Sequence, residues 1–128
     1  LTAKIDNFWE SSVLEGKGKY LVEWCKESST PRPCIKVIAA QTKIETGFGS
    51  LGVGKTHKNL TGIKYDGRWA RYEQYQYSLK DTVRLFIEGD YEDYFTLYGW
   101  EEGLSKYLVR WGTNNLETIK NLCENTLQ

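Results

Sequence analysis

The sequence predicts an all-β fold, an eight-stranded antiparallel up-and-down barrel with a short N-terminal helix and a C-terminal helix. Eleven of the 14 Tyr and Trp residues lie between Tyr65 and Trp111, in short runs that alternate with polar residues. Aromatic residues are typical of strands, so these runs predict four successive strands: RWARYEQYQYS, TVRLFIEG, DYFTLYGW and KYLVRW. Such neighbouring antiparallel strands tend to close into a barrel, because closure removes exposed sheet edges.

The first half of the chain predicts the remaining elements. Residues 5–15 indicate a short helix with Asp6 as its N-cap. Alternation predicts strands at residues 19–26 (KYLVEWCK), 34–45 (CIKVIAAQTKIE) and 58–65 (KNLTGIKY), the last ending in the hairpin turn Asp66-Gly67. Residues 46–56 are rich in glycine and indicate a loop or a bulged strand.

The last residues, 114–127, predict an amphipathic helix that follows the barrel. Asn114 or Asn115 is placed to cap its first turn. Its apolar face is formed by Leu116, Ile119, Leu122 and Cys123.

Length and charge limit the classes of function. The 128 residues fit a single domain, residues 1–128, and 17 basic residues balance 17 acidic ones. Zero net charge argues against nucleic acid or an anionic membrane as a partner. The three cysteines allow one internal disulfide and one free thiol, and Asn59-Leu60-Thr61 is an N-glycosylation sequon.

Residues 49–56 (GSLGVGKT) match the phosphate-loop pattern GxxxxGK[ST]. A phosphate loop needs a strand before it and a helix after it, whose N-terminal N–H groups face the phosphates. The following residues contain Gly62 and β-forming residues rather than a helical pattern. Nucleotide binding through Gly49–Thr56 is therefore the less favoured alternative; a helix at 55–65 would support it and a strand there would oppose it.

No catalytic or metal-binding set is recognisable. His57 is the only histidine, and the cysteines lack metal-ligand spacing. We therefore expect a binding protein without metal or cofactor rather than an enzyme. An eight-stranded barrel is just wide enough to hold one small ligand, and aromatic walls suit an amphipathic molecule.

The order of the elements resembles the lipocalins, a family of eight-stranded barrels followed by a helix. The run GDYEDY (89–94) is similar to a family turn motif, and Arg110 matches the arginine that packs across a tryptophan, here Trp9, at the closed end of the barrel. A helix bearing Trp9, a strand such as KYLVEW and a second strand opened by Cys34 resemble the tick salivary, histamine-binding branch. Similar stretches are RYE (71–73) and EEG (101–103).

The resemblance implies a secreted protein that sequesters a host mediator in immune evasion. The mediator would be an amine such as histamine or serotonin, or a lipid such as a leukotriene. The alternative on the same fold is an inhibitor that binds a host protein of complement or haemostasis. The resemblance also implies a Cys34–Cys123 disulfide, while a local Cys25–Cys34 bridge or a Cys25 link between two chains stays open.

Strand alternation gives the candidate ligand pocket. Inward Glu88 would bind a protonated amine by ion pairing and cation–π contacts, whereas inward Arg84 would bind a lipid carboxylate. The two side chains could also neutralise each other, or both could face solvent. The complete set is Tyr20, Trp24, Tyr72, Gln74, Arg84, Phe86, Glu88, Tyr94, Tyr98 and Tyr107.

Overall fold

The structure is a computed structural model that describes residues 1–127, and 62% of the chain is helical. The predicted β-barrel is therefore wrong, and the resemblance to lipocalins fails with it, because the described residues contain only one two-stranded sheet. The elements are α1 (Thr2–Phe8), α2 (Gly18–Cys25), α3 (Pro31–Thr46), α4 (Gly52–Thr56), β1 (Lys64–Tyr65), β2 (Arg68–Trp69), α5 (Tyr75–Glu88), α6 (Asp93–Trp111) and α7 (Leu116–Asn125).

Helix α3 forms the centre of the molecule. It begins at Pro31, whose fixed φ suits the first helical position. From Cys34 to Thr42 every residue except Lys36 is buried, because α2, α5 and α7 pack around this helix. A helix buried on all sides shows no polar face, which explains why its sequence resembles a buried strand.

Helices α2, α5 and α6 occupy segments that were predicted to be strands. The buried residues of α5 fall at helical spacing and face the core: Ser78, Leu79, Thr82, Val83 and Phe86. Helix α2 likewise buries Gly18, Leu21 and Cys25, three and four residues apart. Gly99 interrupts α6 with φ 76° and ψ −172°, so two helical segments meet there at an angle.

The hairpin turn is confirmed by the structure. Strands β1 and β2 pair antiparallel, with Tyr65 opposite Arg68. Asp66 and Gly67 both have positive φ, 52° and 76°, as a two-residue turn between twisted strands requires. The strand predicted at residues 58–65 is shorter than expected, since only Lys64 and Tyr65 belong to it.

The helices at the two ends of the chain were partly predicted. Helix α7 is confirmed, with Asn115 at the N-cap position and with Ile119 and Cys123 buried. The N-terminal helix ends at Phe8, earlier than expected. Asp6 is not its cap; it lies inside α1 and its carboxylate accepts the backbone N–H of Gly18 at 2.8 Å.

The disulfide joins Cys25 to Cys34, which corrects the expected Cys34–Cys123 pairing. The bridge links the end of α2 to the first turn of α3, and their Cα atoms lie 5.8 Å apart. Cys123 is a buried free thiol in α7. No helix within residues 1–127 is both long and apolar enough to cross a bilayer.

Candidate functional site

A groove of about 460 Å³ lies where the C-terminal end of α3 meets the hairpin and the end of α6. Its volume is in the range of small-molecule sites. Glu45 is the only carboxylate among its lining residues, which are Glu45, Gly62, Ile63, Lys64, Tyr65, Trp69, Leu85, Tyr91, Trp111 and Gly112. Four of these side chains are aromatic, so the groove combines a single acid with flat apolar surfaces.

Glu45 lies in the last turn of α3, two residues before Gly47 ends the helix in the left-handed conformation. The Thr113 hydroxyl, just beyond α6, donates a hydrogen bond to Glu45 Oε1 at 3.3 Å. Glu45 as a whole residue is exposed to solvent, but it lines the groove, and the groove walls exclude part of the water around its carboxyl. This desolvation raises the pKa of Glu45 above its ordinary value of 4.5, and the Thr113 hydrogen bond only partly opposes it.

The loop after α4 forms one side of the groove and is held by Asn59. This side chain is fully buried, donates to the carbonyls of Ile63 and Ala70 at 2.8 and 2.9 Å, and accepts the N–H groups of Gly62 and Ile63. Thr46, the neighbour of Glu45, donates to the Leu60 carbonyl at 2.7 Å. The loop is therefore fixed directly to the helix end that carries the acid.

Gly62 lies between the acid and the hairpin. Its φ is 76°, and a Cβ at this position would lie 3.9 Å from Glu45 Oε2 and 3.5 Å from the Trp69 ring. A side chain here would have to adopt a strained backbone and occupy the space in front of the carboxyl. With Thr113 bonded to Oε1, the second carboxyl oxygen, Oε2, faces this open part of the groove.

The hairpin forms an aromatic wall. Tyr65 and Trp69 are both almost half exposed, at 44% and 45%. The Lys64 ammonium lies 4.3 Å from the centre of the Trp69 ring, which supports the ring on one side. Exposed aromatic rings beside a groove offer flat surfaces on which a ligand can stack.

The opposite wall is formed by Tyr91 and Trp111. Their rings lie 5.1 Å apart, and Trp111 also stacks on the buried ring of Tyr107 at an interplanar angle of 10°. The indole N–H of Trp111 donates to the Thr61 carbonyl at 3.0 Å. This bond ties the end of α6 to the loop that lies beside the acid.

Most of the ligand-binding residues predicted from the sequence lie outside this groove. Tyr20 and Trp24 stack on each other within α2 at 5.4 Å. Arg84 and Glu88 pair at 3.3 Å on the exposed face of α5, so neither is an inward charge. Gln74 immediately precedes α5 and is exposed.

The remaining predicted pocket residues are divided between the core and the surface. Phe86 is fully buried, and so is Tyr107, whose hydroxyl donates to Gln41 Oε1 at 2.6 Å. Tyr94 and Tyr98 line a separate shallow surface of α6 with Lys106. Behind the groove walls, the Tyr107 ring packs on Tyr91 and Trp111, and Arg84 donates to the Tyr65 hydroxyl. The Tyr72 hydroxyl donates to Asp81, which also accepts the Tyr65 hydroxyl.

Trp9, Arg110 and Asn59 have contacts that differ from those predicted for them. Trp9 and Arg110 do not pack together: Trp9 donates to Thr42 Oγ1 in the core, whereas the Arg110 guanidinium lies 4.1 Å from the centre of the Tyr91 ring. Asn59 is buried and its amide is fully hydrogen-bonded, so it is inaccessible to a glycan in the folded chain.

The residues 49–56 lack the context of a phosphate loop. Helix α3 rather than a strand precedes them, and α4 spans only Gly52–Thr56. The backbone at 57–63 is neither the helix nor the strand on which the alternative was to be decided. Within residues 1–127 no group of His, Cys, Asp and Glu side chains is arranged to hold a metal ion.

Glu45 was missed because its segment was interpreted as a strand. One sequence signal could have identified it. In a helix that ends at Gly47, a glutamate in the last turn faces the negative end of the helix dipole, which disfavours a carboxylate. An acid at such a position is a candidate for a functional role.

No family model, no curated protein and no solved structure matches this chain.

Proposed function

We propose that the protein is a glycoside hydrolase that binds a polysaccharide in this groove and uses Glu45 as the general acid. The observation that carries the proposal is a carboxyl with a raised pKa between two aromatic walls. Glycosidases commonly keep one carboxyl protonated near neutral pH by desolvating it, so that it can protonate the leaving-group oxygen. This replaces the expectation of a non-enzymatic binding protein, which rested on a barrel interior.

The walls support a sugar polymer as the substrate. Sugar rings have apolar C–H faces that stack on Tyr and Trp, while their hydroxyls stay in contact with water and with polar groups at the rim. Tyr65 and Trp69 would contact the chain on the hairpin side, and Tyr91 and Trp111 on the other.

The proton-transfer step is assigned to Glu45 Oε2. This oxygen faces the space in front of Gly62, whereas Oε1 accepts the Thr113 hydroxyl. Glu45 would transfer its proton to the glycosidic oxygen as the bond to the anomeric carbon breaks, which leaves Glu45 as a carboxylate. The positive charge that develops on the sugar ring lies close to that carboxylate.

The attack on the anomeric carbon needs a second group, and the groove lining contains no second carboxylate. Tyr65 and Tyr91 both have raised pKa values, mainly because of desolvation, so they stay protonated and are poor nucleophiles. We therefore assign the attack to a water molecule or to the carbonyl oxygen of a 2-acetamido substituent of the sugar. Attack by water leaves a hydroxyl on the anomeric carbon and releases the second proton to solvent. Attack by the acetamido oxygen gives a cyclic intermediate, which water then opens as the Glu45 carboxylate accepts the proton of that water.

The test is hydrolysis of peptidoglycan and chitohexaose, whose sugars carry 2-acetamido groups, beside cellohexaose, which lacks them. The Glu45→Gln variant keeps the shape and the acceptor for Thr113 but has no acidic proton. We expect its turnover to fall by a factor of about 100 or more, with binding retained in titrations followed by tryptophan fluorescence.

Glu15→Gln is the matched control, because Glu15 is exposed and lies outside the groove. It should keep wild-type turnover. Retained turnover in Glu45→Gln, or a wild-type protein that neither binds nor cleaves any of the three glycans, would contradict the proposed function. The anomeric form of the first product, read by NMR, separates attack by water from attack by the sugar.

The disulfide supports a location outside the reducing cytosol. Disulfides persist in oxidising compartments and are rare where thiols are kept reduced. We infer that the protein acts outside the cytosol, on extracellular glycans.

A further inference from the structure

The hairpin that carries Tyr65 and Trp69 has little structure of its own. Its ladder pairs two residues from each strand, and an isolated two-stranded hairpin is at best marginally stable in water. Its place beside the groove must therefore come from contacts to the rest of the molecule. Asn59 holds the chain just after the second strand through the Ala70 carbonyl, and the side-chain hydroxyls of Tyr65 and Tyr72 converge on Asp81 in α5.

Asp81 receives hydrogen bonds from both legs of the hairpin. Tyr65, in the first strand, donates its hydroxyl to Asp81 Oδ2 at 2.7 Å. Tyr72, three residues beyond the second strand, donates to the same oxygen at 2.6 Å. One carboxylate oxygen thus holds the chain on either side of the Asp66-Gly67 turn.

Arg84 completes the cluster. Its Nε donates to Asp81 Oδ1 at 2.8 Å, and its Nη2 donates to the Tyr65 hydroxyl at 2.7 Å. The Tyr65 hydroxyl is therefore both a donor and an acceptor, which fixes the direction of its ring. Hydrogen bonds to an ionised carboxylate are stronger than neutral ones.

The carboxylate stays charged at the pH values at which a glycosidase works. Burial acts to raise the pKa of Asp81, but the hydrogen bonds from Tyr72, Tyr65 and Arg84 outweigh it and hold the pKa below the ordinary value. Asp81 does not line the groove, so it has no direct contact with a ligand there.

We propose that Asp81 is a positioning residue, which sets the hairpin wall of the glycan groove through Tyr65 and Tyr72. The proposal rests on the proposed function, since the wall matters only if the groove binds a glycan. Weakening this cluster releases Tyr65 and Trp69 from the bound sugar chain. It leaves Glu45 and its Thr113 partner in place, because these belong to α3 and the end of α6.

The experiment compares Asp81→Asn, Tyr72→Phe and Tyr77→Phe. Tyr72→Phe removes one hydroxyl that bonds Asp81 and does not line the groove. Tyr77→Phe is the matched control, since Tyr77 is an exposed tyrosine of α5 outside the groove. KM and kcat are measured with peptidoglycan, and binding of chitohexaose is followed by tryptophan fluorescence.

We expect Asp81→Asn and Tyr72→Phe to raise KM and the chitohexaose dissociation constant by a factor of about five or more, with kcat within about twofold of wild type. The two changes should be non-additive when combined, because both weaken the bond between Tyr72 and residue 81. Amide hydrogen exchange at Ala70, whose N–H donates to the Ile63 carbonyl across the hairpin, should be faster in both. Tyr77→Phe should match wild type in every measurement.

Failure of this proposal is distinct from failure of the proposed function. Wild-type turnover with an unchanged KM in Asp81→Asn and Tyr72→Phe would refute the positioning role alone. A fall in kcat with unchanged KM would also refute it, since the acid rather than the wall would then be affected. Absence of binding and turnover in the wild-type protein would overturn the proposed function and this proposal together.

Discussion

At the scale of single residues, the site depends on a carboxyl held where a carboxylate is disfavoured. Glu45 lies in the last turn of α3, at the negative end of the helix dipole, and between walls that displace water. Both conditions favour the neutral acid. Thr113 acts in the opposite sense, because a hydroxyl that donates to the carboxyl stabilises the charged form. The pKa of Glu45 is thus raised by desolvation in the groove and lowered by the hydrogen bond from Thr113.

This balance predicts the pH dependence of the proposed hydrolysis. A general acid must be protonated, so kcat/KM should fall as the pH rises through the pKa of Glu45 in the free enzyme. That alkaline limb should lie above the ordinary carboxyl pKa of 4.5, because desolvation raises the pKa of Glu45. Thr113→Val removes the hydrogen bond that lowers the pKa and should move the limb to still higher pH.

The measurement is the pH profile of kcat/KM on peptidoglycan for wild type, Thr113→Val and Thr113→Ser. Thr113→Ser retains the hydroxyl and serves as the control, so its limb should coincide with that of wild type. A limb that moves to lower pH in Thr113→Val would refute the assigned role of the hydrogen bond. A limb that is absent in wild type would refute Glu45 as the acid.

At the scale of elements, the largest failure of sequence reasoning has a physical cause in α3. Because neighbours surround this helix, every residue from Cys34 to Thr42 except Lys36 is buried, and no exposed polar face marks the 3.6-residue period. A short stretch rich in Ile, Val and Ala without that face has the composition of a buried strand. Two residues of the sequence do indicate a helix here: Pro31, which suits a helix start, and Gly47, which suits a helix end.

The strand prediction for the segment that forms α5 was wrong for a different reason. Its buried positions 78, 79, 82, 83 and 86 have a helical period. The aromatic residues around them were taken as evidence for strands, but β-propensity depends strongly on context and tertiary packing overrides it. Local signals with a defined backbone mechanism did predict structure: the Asp66-Gly67 turn and the terminal helix at Leu116–Asn125 are both confirmed.

Almost none of the candidate site could be predicted from the sequence. Its residues come from α3, the loop after α4, the hairpin, α5 and α6, and a wrong fold cannot bring them together. Tyr72 and Arg84 were selected for a ligand pocket, but both belong to the cluster behind the hairpin. Asn59 was predicted as a glycosylation site, whereas in the structure its side chain organises the loop beside Glu45.

The loop beside the acid makes a prediction about stability. Asn59→Ala removes two donors and one acceptor. The Ala70 carbonyl and the N–H groups of Gly62 and Ile63 then lose their partner, whereas the Ile63 carbonyl keeps the Ala70 N–H. We expect the free energy of unfolding to fall by roughly 3 kcal/mol, since buried backbone groups without partners are costly. The measurement is urea unfolding followed by circular dichroism.

Asn121→Ala is the matched control for this prediction. Asn121 is exposed in α7, so its replacement should change the free energy of unfolding by less than about 0.5 kcal/mol. Equal urea midpoints for Asn59→Ala and Asn121→Ala would show that the loop does not depend on Asn59.

At the scale of the whole molecule, a helical core built around α3 is secured by one short covalent link. The Cys25–Cys34 bridge joins residues nine apart in the sequence, between two helices that already pack on each other. The groove is formed at the other end of α3, and no residue that lines it belongs to the bridge. The bridge therefore stabilises the framework on which the groove is built rather than the groove itself.

This arrangement predicts both the pairing and its energetic effect. Tryptic digestion of the oxidised protein should yield YLVEWCK, residues 20–26, linked to the peptide that contains Cys34. In the chain-entropy model a loop of this length contributes roughly 3 kcal/mol, so excess dithiothreitol should lower the unfolding midpoint by about 10 °C. The Cys123 thiol, whose pKa burial raises to about 12, should react with alkylating agents only after unfolding.

The variant Cys123→Ala separates this bridge from the Cys34–Cys123 alternative. With the Cys25–Cys34 bridge, reductant should lower the midpoint of Cys123→Ala as much as that of wild type, because Cys123 takes no part in the link. If Cys34 were joined to Cys123 instead, the digest would link the Cys34 peptide to residues 121–128. Since the bridge lies away from the acid, reduction at a temperature below the lowered midpoint should leave turnover of peptidoglycan unchanged.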